Sequence, residues 1–141
     1  MRTALLLSLA GLSGLTLASG PALLDLRVGE ISLRAEYARS PAERERGLME
    51  RTELAADHGM LFRFDEFRRH CLWMKDTPLP LSAAFMDETG RIVDLIDLQP
   101  QDRSIRCSSE PARYALEVNQ GWFQQHALKP GDRVTGIPGL Q

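Results

Sequence analysis

LSAAFMDETGRIVDLIDL, residues 81–98, decides how this chain is built. Two strand-like runs, residues 81–87 and 91–98, flank Glu88-Thr89-Gly90, where glycine supplies the positive φ that a tight reversal needs. The stretch reads as a β-hairpin, and the sequence on either side repeats its pattern. Immediately upstream, in HCLWMKDTPLP (residues 70–80), His70, Leu72 and Met74 alternate with Cys71, Trp73 and Lys75. That is strand spacing until Thr77-Pro78-Leu79-Pro80, where both prolines lack the N–H a ladder requires.

Further back, Met60, Phe62 and Phe64 of MLFRF (60–64) fall on one face of a strand that follows the His58-Gly59 break. ISLRAEYA (31–38) alternates with Ile31, Leu33 and Ala35 on one side. Between these two runs, Ser40-Pro41-Ala42-Glu43 combines an N-cap hydroxyl, a proline at the first helical position and a glutamate three residues after the cap. It predicts a short helix over 41–50, with residues 43–46 in solvent and Leu48 and Met49 turned inward. Downstream, YALEVN (114–119) sets Tyr114, Leu116 and Val118 against Ala115, Glu117 and Asn119. Residues 121–128 suit a second short helix, and Pro130-Gly131-Asp132 turns the chain into a last strand over 133–137. Seven or eight short strands with one or two short helices predict a mainly β fold, a single antiparallel sandwich or flattened barrel.

The chain has 141 residues and a formal charge of −2. It opens MRTALLLSLAGLSGLTLASG, in which Arg2 precedes an apolar stretch ending in small residues. This reads as a secretory signal peptide over 1–18 with cleavage near Ala18, followed by a short lead-in over 19–30 and one β domain over 31–138. The other reading of the leader is an uncleaved membrane anchor, which its glycines, hydroxyl residues and Pro21 disfavour. Removal of Arg2 leaves 16 Lys and Arg against 19 Asp and Glu, a charge of −3, with the basic residues scattered. Nucleic acid is therefore not an expected partner. The expected location is periplasmic or secreted, and there the two cysteines, Cys71 and Cys107, are expected to form a disulfide.

Four segments in order, ERERGLMER (43–51), HGMLFRF (58–64), LWMKDTPLPLSAAFMDETGRIV (72–93) and PARYALEVNQGWF (111–123), carry a family resemblance. The chain resembles the bacterial family known as domain of unknown function 192 over roughly residues 31–135. The matching motifs are Trp-Met-Lys-Asp-Thr followed by Pro-Leu, and Leu-Glu-Val-Asn with glycine two residues later. The resemblance implies a jelly-roll-like β sandwich, often exported, and attributes no activity to it. Ser82 stands where that family often has aspartate. Cys71 and Cys107 look like the paired cysteines of its periplasmic branch.

For chemistry, Glu117 and Asn119 share one face of their strand, and Trp73 and Lys75 share a face with Cys71. If these faces adjoin, Trp73, Lys75, Asp76, Glu117 and Asn119 would bring an aromatic wall, a cation, carboxylates and an amide around a small polar ligand or envelope component. The blander alternatives are a solvated strand surface, a structural Lys75–Glu117 pair, and Asp76 and Thr77 bonding their own turn. A hydrolase acting on an envelope polymer stays open through Asp94, Asp97 and Glu117. So does, more weakly, a periplasmic copper protein using His58, Met60, His70, Met74 and Met86, although His70 and Met74 on one extended strand stand about 13 Å apart. There is no G-x-S-x-G turn and no phosphate-cradling glycine loop, so no catalytic residue is assigned and no cofactor or metal is expected.

Overall fold

The structure is a computed structural model that describes residues 21–140, with Gly11, Gly14 and Leu15. The leader expected over 1–18 lies, those three residues apart, outside the described residues. Among the described residues no helix is long and apolar enough to cross a membrane.

Among the described residues, nine strands and two short helices follow in chain order: β1 (Leu23–Val28), β2 (Ile31–Ala38), α1 (Pro41–Arg46), β3 (His58–Arg68), β4 (Cys71–Leu72), β5 (Leu81–Met86), β6 (Ile92–Leu98), β7 (Arg106–Cys107), β8 (Ala112–Asn119), α2 (Trp122–Gln125) and β9 (Val134–Thr135). Seven strands make one curled sheet in the order β6-β5-β8-β3-β2-β1-β9, a half-barrel consistent with the expected flattened barrel. β4 and β7 form a separate two-stranded ribbon. The 81–98 hairpin is present. Asp87 Oδ1 accepts from Thr89 N, Thr89 Oγ1 and Arg91 N, and Gly90 takes φ 83°. A Cβ on Gly90 would meet the Val134 carbonyl oxygen at 2.5 Å, so this position requires glycine twice over.

Several boundaries differ from the expectation, each for a local reason. The predicted capping box is there, with Ser40 Oγ accepting from Glu43 N and the Glu43 carboxylate accepting from Ser40 N. The helix stops at Arg46 instead of running to 50. Gly47 leaves the helical region (φ 46°, ψ −129°), which lets Leu48 drop into the core beside Phe62. The strand expected over 70–75 shrinks to Cys71–Leu72, because Met74 N donates to the Asp102 carbonyl and Asp76 adopts φ 53°. The lead-in over 19–30 contains β1, which pairs with β2 and β9. One pairing, β2 with β3, is parallel, with α1 in the crossover, while the other pairs in the sheet are antiparallel.

The sheet is covered on both sides. One apolar cluster draws on all seven strands, including Leu26, Leu33, Leu61, Met86, Leu116 and Val134, and is plugged by Trp122 and Phe123 of α2. The second lies on the opposite face. There Met60, Phe62 and Phe64 of β3, Ala83 and Phe85 of β5 and Ala115 of β8 pack under Leu48, Met74 and Leu79. The central strands β3, β5 and β8 are thus apolar on both faces along part of their length.

The expected disulfide is present. Cys71 and Cys107 are directly paired in the β4–β7 ribbon and bonded, with 36 residues of sequence separation. Closing a loop of this size restricts the unfolded chain by about 3–4 kcal/mol in the chain-entropy model. The Cys71→Ala/Cys107→Ala double variant should therefore unfold at markedly lower urea, with a stability loss of this order and an unchanged β-type circular dichroism spectrum.

Candidate functional site

Strand alternation fixes where Glu117 goes. Its neighbours Leu116 and Val118 are fully buried in the first cluster, so Glu117 must project to the opposite face. In the ladder it lies between Met60 of β3 and Ala83 of β5, both in the second cluster. A carboxyl group has been set into an apolar layer, and only 5% of the residue remains exposed.

What lies above it is a cleft of about 230 Å³. Phe62 and Phe64 form one wall and Leu48 and Met49 another. A strap over residues 71–77 supplies Trp73, Met74 and Thr77, while Arg44, Glu45 and Arg46 of α1 stand at the mouth. Trp73 keeps 41% of its surface exposed, which is unusual for tryptophan in a sheet-covering segment and leaves its ring accessible from the cleft. The strap is rigidly held. Met74 N donates to Asp102 O (2.7 Å), Gln101 N to Thr77 O (2.9 Å) and Glu50 N to Asp76 O (2.6 Å), and Thr77 Oγ1 donates to Lys75 O (3.0 Å).

The electrostatics centre on Glu117. Burial alone pushes its pKa up to about 8, and no donor or cation among the described residues offsets that. No described residue hydrogen-bonds its carboxyl, whose oxygens are not sealed off and keep contact with the cleft. At neutral pH the group is therefore mostly a neutral carboxylic acid, which can donate a hydrogen bond as well as accept one. Arg44 does not reach down to neutralise it, since its guanidinium is taken by the Arg39 and Arg63 carbonyls and the Asp65 carboxylate.

Of the five residues expected around a ligand, the cleft unites Trp73 and Glu117. Lys75 sits with Nζ 5.4 Å from the Trp73 ring centroid and does not line the cleft. Asp76 is exposed, and Asn119 donates from Nδ2 to the Leu54 carbonyl at 2.8 Å, tying down the loop after α1. Thr77, read from sequence as a turn former, both makes that turn and lines the cleft. Phe62, Phe64 and Arg44 carried no signal beyond core and helix surface.

The other candidates lie elsewhere. Asp94 accepts from Ser109 N, and Asp97 Oδ1 accepts from Ser82 Oγ at 2.7 Å, so both are on β6 outside the Glu117 cleft. Ser82, where the family pattern often has aspartate, also accepts from Gly121 N at 3.0 Å and thereby anchors the start of α2. Met60 and Met74 belong to one core and Met86 to the other. His70 stacks on Phe64 at 3.8 Å, and burial lowers its pKa. Among the described residues, no group of three or more His, Cys, Asp or Glu side chains is placed to hold a metal ion.

Unfolded, Glu117 ionises in the ordinary range near 4.5, and folded it does so near 8. Between these values the folded chain holds the extra proton. The group's contribution to stability is thus intact below about pH 4.5 and is lost as pH rises towards 8, at about 1.4 kcal/mol per pH unit. Denaturant titrations of wild type and Glu117→Gln across that window should differ by this slope. Glu117→Leu, of similar size, should be more stable than wild type by about 1–4 kcal/mol at pH 8, since a buried ionisable group is replaced by an apolar one.

Against known proteins, the family model described as DUF192, "Uncharacterized ACR", matches residues 25–136. A solved structure from Sinorhizobium meliloti 1021, described as that of a candidate transcription regulator, is similar at 38% identity. It has a TM-score of 0.80 and covers 84% of this chain and 96% of its own. A protein of unknown function from Novosphingobium aromaticivorans DSM 12444 is similar at 29% identity and TM-score 0.77, over 89% of this chain and 99% of its own. No curated protein matches. With the family model spanning nearly the whole described fold, the chain belongs to the DUF192 family.

Proposed function

We propose that this protein is an exported small-ligand-binding domain of the cell envelope, and that the ligand lies in the cleft over Glu117. One observation carries the reading: a glutamate only 5% exposed in an apolar layer, its carboxyl without a hydrogen bond to a described protein group, at the floor of an open cavity. Such a group costs stability and does nothing for packing. A bound molecule would supply the hydrogen bond that no described protein group makes to it. The neighbouring half-exposed Trp73 offers that molecule an aromatic wall. Export is supported by the leader-like N-terminus and by the cystine, which an oxidising compartment preserves.

A DNA-reading role, of the kind the description of the Sinorhizobium meliloti protein suggests, fits less well. The two helices among the described residues have six and four residues, too short for a recognition helix to span a major groove, and the formal charge is −2.

Protein isolated from its native envelope should carry one small molecule by native mass spectrometry and should begin at Ser19. Glu117→Leu should lose that molecule and Trp73→Ala should retain less of it, with both variants folded by circular dichroism. Equal occupancy in wild type and Glu117→Leu would remove the cleft as the binding site.

A further inference from the structure

Resting on the small-ligand reading above, we propose a ligand class for the cleft: a single uncharged ring that presents an oxygen acceptor, to which Glu117 donates a hydrogen bond. Three features of the cavity converge on this class.

The first is size. At about 230 Å³ the cleft is smaller than the roughly 300–1,000 Å³ of sites for drug-sized molecules, so it holds one ring and its substituent. The second is the wall chemistry. Phe62, Phe64 and Trp73 line the cleft with aromatic carbon, His70 covering one face of Phe64 and Lys75 Nζ standing over the Trp73 ring, and such a lining suits a compact ring. The third is the charge balance. β3 and β5 face Glu117 with apolar side chains, and the strap faces it with Thr77 and a cystine that does not titrate. The fixed charges are confined to the mouth, where Arg44 and Arg46 stand with Glu45, and Arg44 is already engaged with Asp65.

An anion entering this space would lose its water with no free cation at the floor, and a cation would have to strip the proton that burial keeps on Glu117. An uncharged acceptor pays neither cost. It takes the carboxylic acid's O–H directly, and the Thr77 hydroxyl, which spends its proton on the Lys75 carbonyl, keeps lone pairs to receive a donor from the same ligand.

Three one-ring probes of matched shape separate the possibilities: acetophenone (uncharged acceptor without a donor), benzoate (anion) and benzylamine (cation). Each is titrated by calorimetry into the mature protein between pH 6 and 9.5. Acetophenone should bind most tightly below pH 8 and weaken about tenfold per pH unit above it, as the donor proton is lost. Glu117→Gln, whose amide donates at every pH, should bind acetophenone with no such loss, and Glu117→Leu should bind it at least tenfold more weakly than wild type does below pH 8, with no dependence on pH. If benzoate binds more tightly than acetophenone, or benzylamine does so and strengthens as pH rises, the ligand class is wrong while the small-ligand site stands. If none of the three shows saturable binding at millimolar concentration, the class and the site both fail.

Discussion

The chemistry of this molecule follows from one constraint: β8 is hydrogen-bonded along both edges and covered on both faces. A strand in that position has no solvent side on which to place a polar residue. Period-two alternation nevertheless sends Glu117 to one of the two covered faces, and the ladder to β3 and β5 prevents the backbone from rotating it out. The carboxyl is thereby held at a fixed height and direction in an apolar layer, and its raised pKa follows from the same burial. Rigid scaffolding of this kind is what a binding group needs, because little conformational freedom remains to be lost when a ligand arrives.

The cover over Glu117 is built differently from the floor. It is made of the turn after α1 and the 71–77 strap, which starts in β4 and is irregular beyond it, and the two are tied to each other and to the loop over 99–102 by backbone hydrogen bonds. Where the α1 turn and the strap meet, Glu50 N bonds Asp76 O, and Asn119 fastens the remainder of the 47–57 loop to β8 itself. The cleft exists because these segments bridge the sheet face without filling it. Apolar side chains from Leu48 and Met74 seal its inner part, and Trp73 is left half in solvent at the opening.

Much of the fold was legible in the amino-acid sequence because its signals are local. The Asp87–Gly90 reversal, the Ser40–Glu43 capping box and the alternation of β2, β3 and β8 each depend on neighbours within a few residues. What was not legible depends on distant partners. Alternation shows that Ala115, Glu117 and Asn119 share a face, but whether that face is wet depends on chain some forty to seventy residues earlier. A clue was present in LSAAFM, apolar but for Ser82, a pattern that marks a strand covered on both sides and so implies that the adjacent β8 is covered as well. The parallel register of β2 with β3 had no comparable marker: the helix expected over 41–50 between the two strands leaves their relative direction open. Lys75 and Asp76 were grouped with Trp73 by adjacency along a strand. The left-handed backbone at Asp76 and the Met74–Asp102 hydrogen bond break that strand and disperse them.

The cystine has an architectural role beyond linking two residues of a small ribbon. β3 ends just before Cys71 and β8 begins just after Cys107, and their ladder starts at the Arg68–Ala112 pair. Once the sulfurs join, everything between them, the strap and the β5–β6 hairpin included, becomes a closed ring hanging from one point. Across that point β3 and β8 are only a few covalent steps apart. The bond thus works as the short connection of a hairpin, turning the most remote contact around Glu117 into a near-neighbour one and lowering the entropy that bringing β8 alongside β3 must overcome.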